Sequence, residues 1–199
     1  PGYIHIDLTY VPKLEGKKKY LYVAVDRATR LMYVELRVSK SQKDSSEFLL
    51  ACKKFFPFHI QKVLTDNGSE FTNEMYKMNS RKKEMKLRTH DFEKVCKESC
   101  IEHRRTRIKS PWTNGMVERV NGLIKEHTVK IHQYENYQEM EKDFKSYELR
   151  YNLYRKHNSL SRRTPYEQML SWFEKKSELF WQTPDQWRNS NYREQPSEN

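Results

Sequence analysis

The chain opens on an alternation. In Tyr3-Ile4-His5-Ile6-Asp7-Leu8-Thr9 the apolar residues Ile4, Ile6 and Leu8 fall on one face of a strand, which leaves His5 and Asp7 together on the other. Tyr20 to Val25 and Leu31 to Val38 are rich in β-branched and aromatic residues. The polar run Asp26-Arg27-Ala28-Thr29-Arg30 between them reads as a turn. Three strands joined by short polar connections predict an antiparallel meander. The period then changes: Phe48, Leu49, Cys52 and Phe55 recur at helical spacing behind Asp44 and Glu47, a pair with the spacing of a helix start. Beyond Pro57, Ile60 to Thr65 reads as a fourth strand that stops at the turn signal Asp66-Asn67-Gly68.

Residues 77–90 break the pattern. Lys77, Arg81, Lys82, Lys83, Lys86 and Arg88 stand against Glu84 alone, which suggests a basic insertion, as a loop or a solvated helix. A helix resumes from Asp91 to Cys100, with Phe92, Val95, Cys96 and Ser99 on one side; Cys96 and Cys100 fit a buried face. Ile101 to Arg107 is a short basic strand or loop. After the loop Ser110-Pro111-Trp112-Thr113-Asn114-Gly115, Asn114 suits the N-cap of a helix running to about His132, its buried stripe Val117, Val120, Ile124 and Ile131. A second long helix runs from Asn136 to about Lys156, with Tyr137, Met140, Phe144, Tyr147, Tyr151 and Tyr154 in an amphipathic stripe. From His157 the pattern is less regular and carries Trp172, Trp181 and Trp187. This order of elements predicts a mixed sheet flanked by helices, α/β or α+β.

A length of 199 residues accommodates one compact domain and an appendage. The net charge of +11 points toward a polyanionic partner, although a lysine-rich surface has the same sum. Three cysteines make no disulfide framework and suit a reducing compartment. No apolar run is long enough to span a bilayer, so no membrane partner is expected.

Three acidic residues stand out. Asp7 sits inside an apolar strand, where a carboxylate is costly unless paired or metal-bound. Taken singly it equally suits a solvated edge. Asp66 alone would be a turn residue, and Glu118 alone a helix N-terminal charge favoured by the macrodipole. Together, His5-Ile6-Asp7-Leu8-Thr9, Leu64-Thr65-Asp66-Asn67-Gly68-Ser69-Glu70-Phe71 and Thr113-Asn114-Gly115-Met116-Val117-Glu118-Arg119-Val120-Asn121 resemble the three signatures of the integrase core superfamily. That superfamily includes retroviral integrases and bacterial insertion-sequence transposases with a DDE triad, and the likeness is closest to the latter. His103-Arg104-Arg105-Thr106-Arg107 is similar to the stretch preceding the third signature. His157-Asn158-Ser159-Leu160 and Arg163-Thr164-Pro165 are similar to the stretch on its C-terminal side. The interval from Asp66 to Glu118 is longer than is usual, and the basic stretch accounts for the surplus.

The resemblance implies an α/β, RNase H-like fold: a five-stranded mixed sheet flanked by helices, with extra C-terminal helices. It places residues 1–170 in an integrase-type catalytic core with a basic insertion at about 73–90, and residues 171–199 in a C-terminal tail. An N-terminal DNA-binding domain is expected outside this sequence. Motif by motif, Asp7, Asp66 and Glu118 fall on the catalytic and metal-binding positions. They imply two Mg²⁺ ions, for which Mn²⁺ substitutes; carboxylates without a Cys or His cluster suit such hard ions. The implied reaction is two-metal-ion cleavage of element ends and transfer of the 3′-hydroxyl into target DNA. The partners are then double-stranded DNA, as element ends and target, and further copies of the chain in a homo-oligomer. The expected location is the bacterial cytoplasm at the nucleoid, or the nucleus in a eukaryote. Asn121 and Lys125 come after Glu118 on the same helix face, and Arg104, Arg105, Arg107 and Lys109 form a cationic run leading into the site. These residues, with Asn114, are the expected DNA contacts. An RNase H-type nuclease that cuts without joining, or a domesticated non-catalytic DNA-binding protein, are the rival readings.

Overall fold

The computed structural model describes residues 1–14, 16–73, 90–106 and 115–192. The basic insertion, but for its edges, therefore lies outside the described residues. The elements are β1 (Tyr3–Tyr10), β2 (Tyr20–Asp26), β3 (Met32–Arg37), α1 (Gln42–Phe55), β4 (Lys62–Thr65), α2 (Asp91–Glu98), β5 (Glu102–Arg105), α3 (Gly115–His127), α4 (Tyr137–Leu153), α5 (Pro165–Lys175) and α6 (Pro184–Asn191). The sheet has five strands in the order β3-β2-β1-β4-β5. β1, β2 and β3 form the antiparallel meander, while β4 pairs parallel to β1 and β5 parallel to β4. None of the described helices is long and apolar enough to cross a membrane.

Alternation along the strands builds a separate core on each face. Ile4, Ile6, Tyr22 and Ala24 point to one side, where Phe48, Leu49 and Cys52 of α1 and Phe92 and Cys96 of α2 cover them. Leu21, Val23, Val25, Met32 and Val34 point to the other, against Val117, Val120 and Ile124 of α3 and the aromatic stripe of α4. β2 is buried on both faces, which is why Tyr20 to Val25 reads as a nearly continuous apolar run.

Helix boundaries depart from the sequence reading where caps decide them. α1 starts at Gln42 because the Ser41 side chain accepts from the Asp44 amide, which makes Asp44 the third helical residue rather than the cap. α2 stops at Glu98, and Cys100 sits beyond it, exposed, with φ of 55°, so it shares no buried face with Cys96. α3 stops at His127, which leaves Ile131 64% exposed instead of closing the stripe. Asn136 caps α4, and its stripe is buried through Tyr151 with Tyr154 left outside.

α4 also closes an open edge of the sheet. Among the described residues no strand lies beyond β3, yet Asn152 accepts from the Met32 amide at 2.9 Å and donates to the Met32 carbonyl at 2.7 Å. One turn earlier, Glu148 accepts from the Val34 amide at 2.8 Å and Lys145 donates to the Val34 carbonyl at 2.7 Å. Side chains of a helix thus take the role of a sixth strand and deny the edge to other chains. Asn152→Ala is expected to leave both Met32 groups buried without partners, at a cost on the order of 2–3 kcal/mol. A lowered urea midpoint with unchanged slope is the expected readout.

The C-terminal residues belong to the same body. Trp187 on α6 is fully buried in the core with Ile4, Phe48 and Phe55, and its indole Nε1 donates to the Phe55 carbonyl at 2.7 Å. Trp181 donates to the Phe56 carbonyl at 2.9 Å. These two bonds serve carbonyls at the C-terminal end of α1, which the helix itself cannot satisfy. Trp187 thus anchors the stretch from 171 to 192 to the packed core.

Candidate active site

Each of the three acidic residues comes from a different part of the fold. Asp7 lies in mid-β1 opposite Val23, so the pleat turns it toward the α3 side of the sheet. Asp66 comes directly after the last residue of β4. The parallel register of His5 with Leu64 carries the two chains past one another so that Asp66 leaves the sheet beside Asp7. The Asp66 carboxylate accepts from the Gly68 amide at 2.9 Å, an Asx turn that holds it at the carboxyl end of the strand. Asn67 donates to the Thr106 carbonyl at 2.9 Å and pins this turn to the end of β5. Glu118 is exposed in the first turn of α3.

One turn further along α3, Asn121 donates to Asp7 Oδ2 at 2.8 Å, and one turn beyond that Lys125 donates to Thr9 Oγ1 at 2.5 Å. The face of α3 that carries Glu118 therefore lies along the polar face of β1. Asn121 is buried, and its carbonyl oxygen has no hydrogen-bond partner among the described residues. Sequence reasoning does not single out Thr9, although its place two residues after Asp7 on the same strand face is the signal that identifies it.

The Asp7 carboxyl is pushed up to about 6. Burial is the largest cause and the negative charge of Asp66 the next, with Glu118 adding to both; the Leu8 amide and Asn121 act against them. The charges of Asp66 and Glu118 act on a half-buried Asp7, a repulsion that a nearby cation would relieve. Their donors are oxygens only, the chemistry that hard divalent ions take. Among the described residues no three His, Cys, Asp or Glu side chains stand close enough to hold a metal ion.

β4 is braced to β5 beneath this site. His103 Nε2 and Thr65 Oγ1 lie 2.9 Å apart, and burial with the Arg105 charge holds the His103 imidazole down at about 4, so it stays neutral. The neighbouring arginines diverge. Arg104 shares the face of Tyr3, whose ring it approaches at 5.8 Å, and pairs with Glu102 at 2.7 Å. Arg105 turns to the α2 side, donates to Thr72 at 3.0 Å and lies 3.9 Å from Glu93. The pleat of β5 thus splits what the sequence reading takes as a single cationic run. Arg107, Lys109 and Asn114 lie outside the described residues.

A family model described as Integrase core domain matches residues 1–111, and a second of the same description matches residues 99–165. A curated relative, "Putative integrase ORF3" of Spiroplasma virus SpV1-C74, is 29% identical over 172 residues, which cover 83% of this chain and 46% of the relative. The chain thus spans about half the length of that protein. Among solved structures, the catalytic core domain of BIV integrase superposes with a TM-score of 0.63 at 19% identity, covering 88% of this chain and 98% of that one. The HTLV-2 integrase catalytic core domain in complex with magnesium gives 0.57 at 21% identity, covering 83% and 93%. A chain of the simian T-cell lymphotropic virus intasome, solved with PP2A regulatory subunit B56γ, gives 0.63 at 17% identity, covering 83% and 52%. The shared architecture is the RNase H-like fold.

Proposed function

The chain belongs to the integrase core domain family, and from that premise we propose that it is the catalytic core of a DNA transposase or integrase that cleaves element ends and joins their 3′-hydroxyls to target DNA. What supports this reading is that the charges of Asp66 and Glu118 act on the half-buried Asp7 carboxyl, while Asn121, on the helix that carries Glu118, donates to that same carboxyl. Asp7, Asp66 and Glu118 would hold two divalent ions, Mg²⁺ or Mn²⁺ in its place. Such ions, when bound, activate the attacking oxygen and stabilise the leaving one. The magnesium seen with the HTLV-2 core domain supports that assignment.

The protein's own contribution is placement. Asn121 fixes Oδ2 of Asp7 and so orients its carboxyl on β1. Lys125, tethered to Thr9 beside the carboxylates, offers its charge to a phosphate of bound DNA. The half-buried setting of Asp7 strengthens each charge interaction there relative to open water. Double-stranded DNA is the substrate under this reading, and several copies of the chain act together.

A cleavage and strand-transfer assay with the element's own ends tests the proposal. Wild type is expected to nick and join with Mg²⁺, and Glu118→Gln is expected to lose both steps while still binding DNA. Cleavage without joining would favour an RNase H-type nuclease. Binding without cleavage under any metal condition would favour a non-catalytic DNA-binding protein.

A further inference from the structure

The turn after α4 concentrates charge that the carboxylate site does not use. From residue 155 to 163 the chain reads Arg-Lys-His-Asn-Ser-Leu-Ser-Arg-Arg, four cations without a carboxylate. Lys156, Arg162 and Arg163 are exposed. None of the three has an ion-pair partner among the described residues.

The turn is rigid. The Leu160 and Arg162 amides both donate to the His157 carbonyl at 3.0 Å, and the His157 amide donates to the Arg163 carbonyl at 2.9 Å. Leu160 is buried beneath the turn, and the Thr164 capping box of α5 fixes its exit. Ser161 and Arg162 have φ of 53° and 66°. Two successive residues with side chains hold left-handed backbone only where the surroundings enforce it, and such enforced strain gathers at functional positions. Glycine or asparagine would relax Arg162; an arginine stands there instead.

Charge from the side of the helix that carries Glu118 reaches the turn. Arg30, in the β2–β3 turn with φ of 63°, donates to the sulfur of Met116 in the first turn of α3. Burial, and after it the charges of Arg155 and Arg30, hold the His157 imidazole down at about 4. Arg30 thus contacts the start of α3 while its charge acts on His157 of the turn.

We propose that the 155–163 turn is a phosphate clamp for duplex DNA flanking the reacting bond, with Arg162 and Arg163 contacting backbone phosphates. The inference rests on the reading of this chain as a DNA-processing core and adds to it a second contact surface away from Asp7, Asn121 and Lys125. A guanidinium presents a planar fork of donors that matches phosphate oxygens, and a preordered turn loses little freedom on binding. Such contacts set register without reading sequence.

Salt-dependent binding of a fluorescent DNA duplex to the full chain, without divalent ions, tests this. Arg162→Asn removes a charge and keeps a residue that tolerates left-handed backbone. Combined with Arg163→Gln, it is expected to reduce the slope of log K against log salt by about 1.8, the value for two phosphates. Arg163→Gln alone lies outside the strained pair and is expected to reduce the slope by about 0.9; Arg163→Lys is expected to restore it. Thermal melts check the fold of each variant. If wild type binds and cleaves duplex DNA while the slope is unchanged in the folded Arg163→Gln variant, the clamp is refuted and the catalytic reading stands. If wild type neither binds nor cleaves DNA, that reading fails and the clamp with it.

Discussion

Asp7→Asn is expected to reduce DNA cleavage and joining by at least about a thousandfold, because it removes the charge on which the proposed metal site depends. The same substitution is expected to stabilise the metal-free protein at neutral pH. The Asp7 carboxyl stands at about 6 in the fold against an ordinary value of 3.8, so the folded state binds this proton more tightly than the unfolded one. Through this group, stability is greatest below 3.8 and is lost as pH rises through about 6. Above that window the ionised carboxylate costs about 3 kcal/mol. Asn has the same shape and no charge, so at a pH of about 7.5 the variant should melt roughly 6–12 °C above wild type, and the two should converge toward a pH of about 4. Thermal scans in EDTA across that range measure this, and added Mg²⁺ should raise the melting temperature of wild type but not of the variant. A variant that melts lower than wild type at the alkaline end of the range, or that still cleaves, would contradict the assignment of Asp7.

The second large effect lies far from the carboxylates. Trp187→Ala is expected to cost about 3–5 kcal/mol, the range for removing a fully buried large aromatic side chain. Its ring packs edge-on to Phe55 and Tyr192 at 5.5 and 5.4 Å, and its indole nitrogen serves the carbonyl of Phe55 at the end of α1. Because α1 covers Ile4 and Ile6 on β1, the loss reaches the strand that carries Asp7. Trp187→Phe keeps most of the packing and gives up the hydrogen bond, so a smaller loss is expected. Denaturant unfolding of the two variants measures the difference. A cost under about 1 kcal/mol for Trp187→Ala would mean that α6 is only loosely applied to the domain.

The same packing explains why the C-terminal boundary is hard to read from sequence. Trp172, Trp181 and Trp187 obey no period that a helix or strand would impose, and Trp187 stands between Gln186 and Arg188. What buries Trp187 is a gap at the end of α1, more than a hundred residues earlier in the chain, and no local pattern encodes it. The start of α1 is ambiguous for a different reason: Ser41 and Asp44 both suit a helix start, and only the observed bond from the Asp44 amide to Ser41 chooses between them.

Local periodicity by itself determined the strands, the long helices and the side of β1 on which Asp7 lies, because a pleat of two residues and a turn of about 3.6 leave their marks on neighbouring positions. The motifs around Asp7, Asp66 and Glu118 were legible for the same reason, each being a short run within a single element. Only the tertiary structure decided that Asn121 grips Asp7, that Lys125 reaches Thr9, that Asn152 and Glu148 close the β3 edge, and that Arg104 and Arg105 part across the sheet. Those pairings depend on how helices lie across strands. That geometry is set by the summed packing of two cores, not by any residue's immediate neighbours.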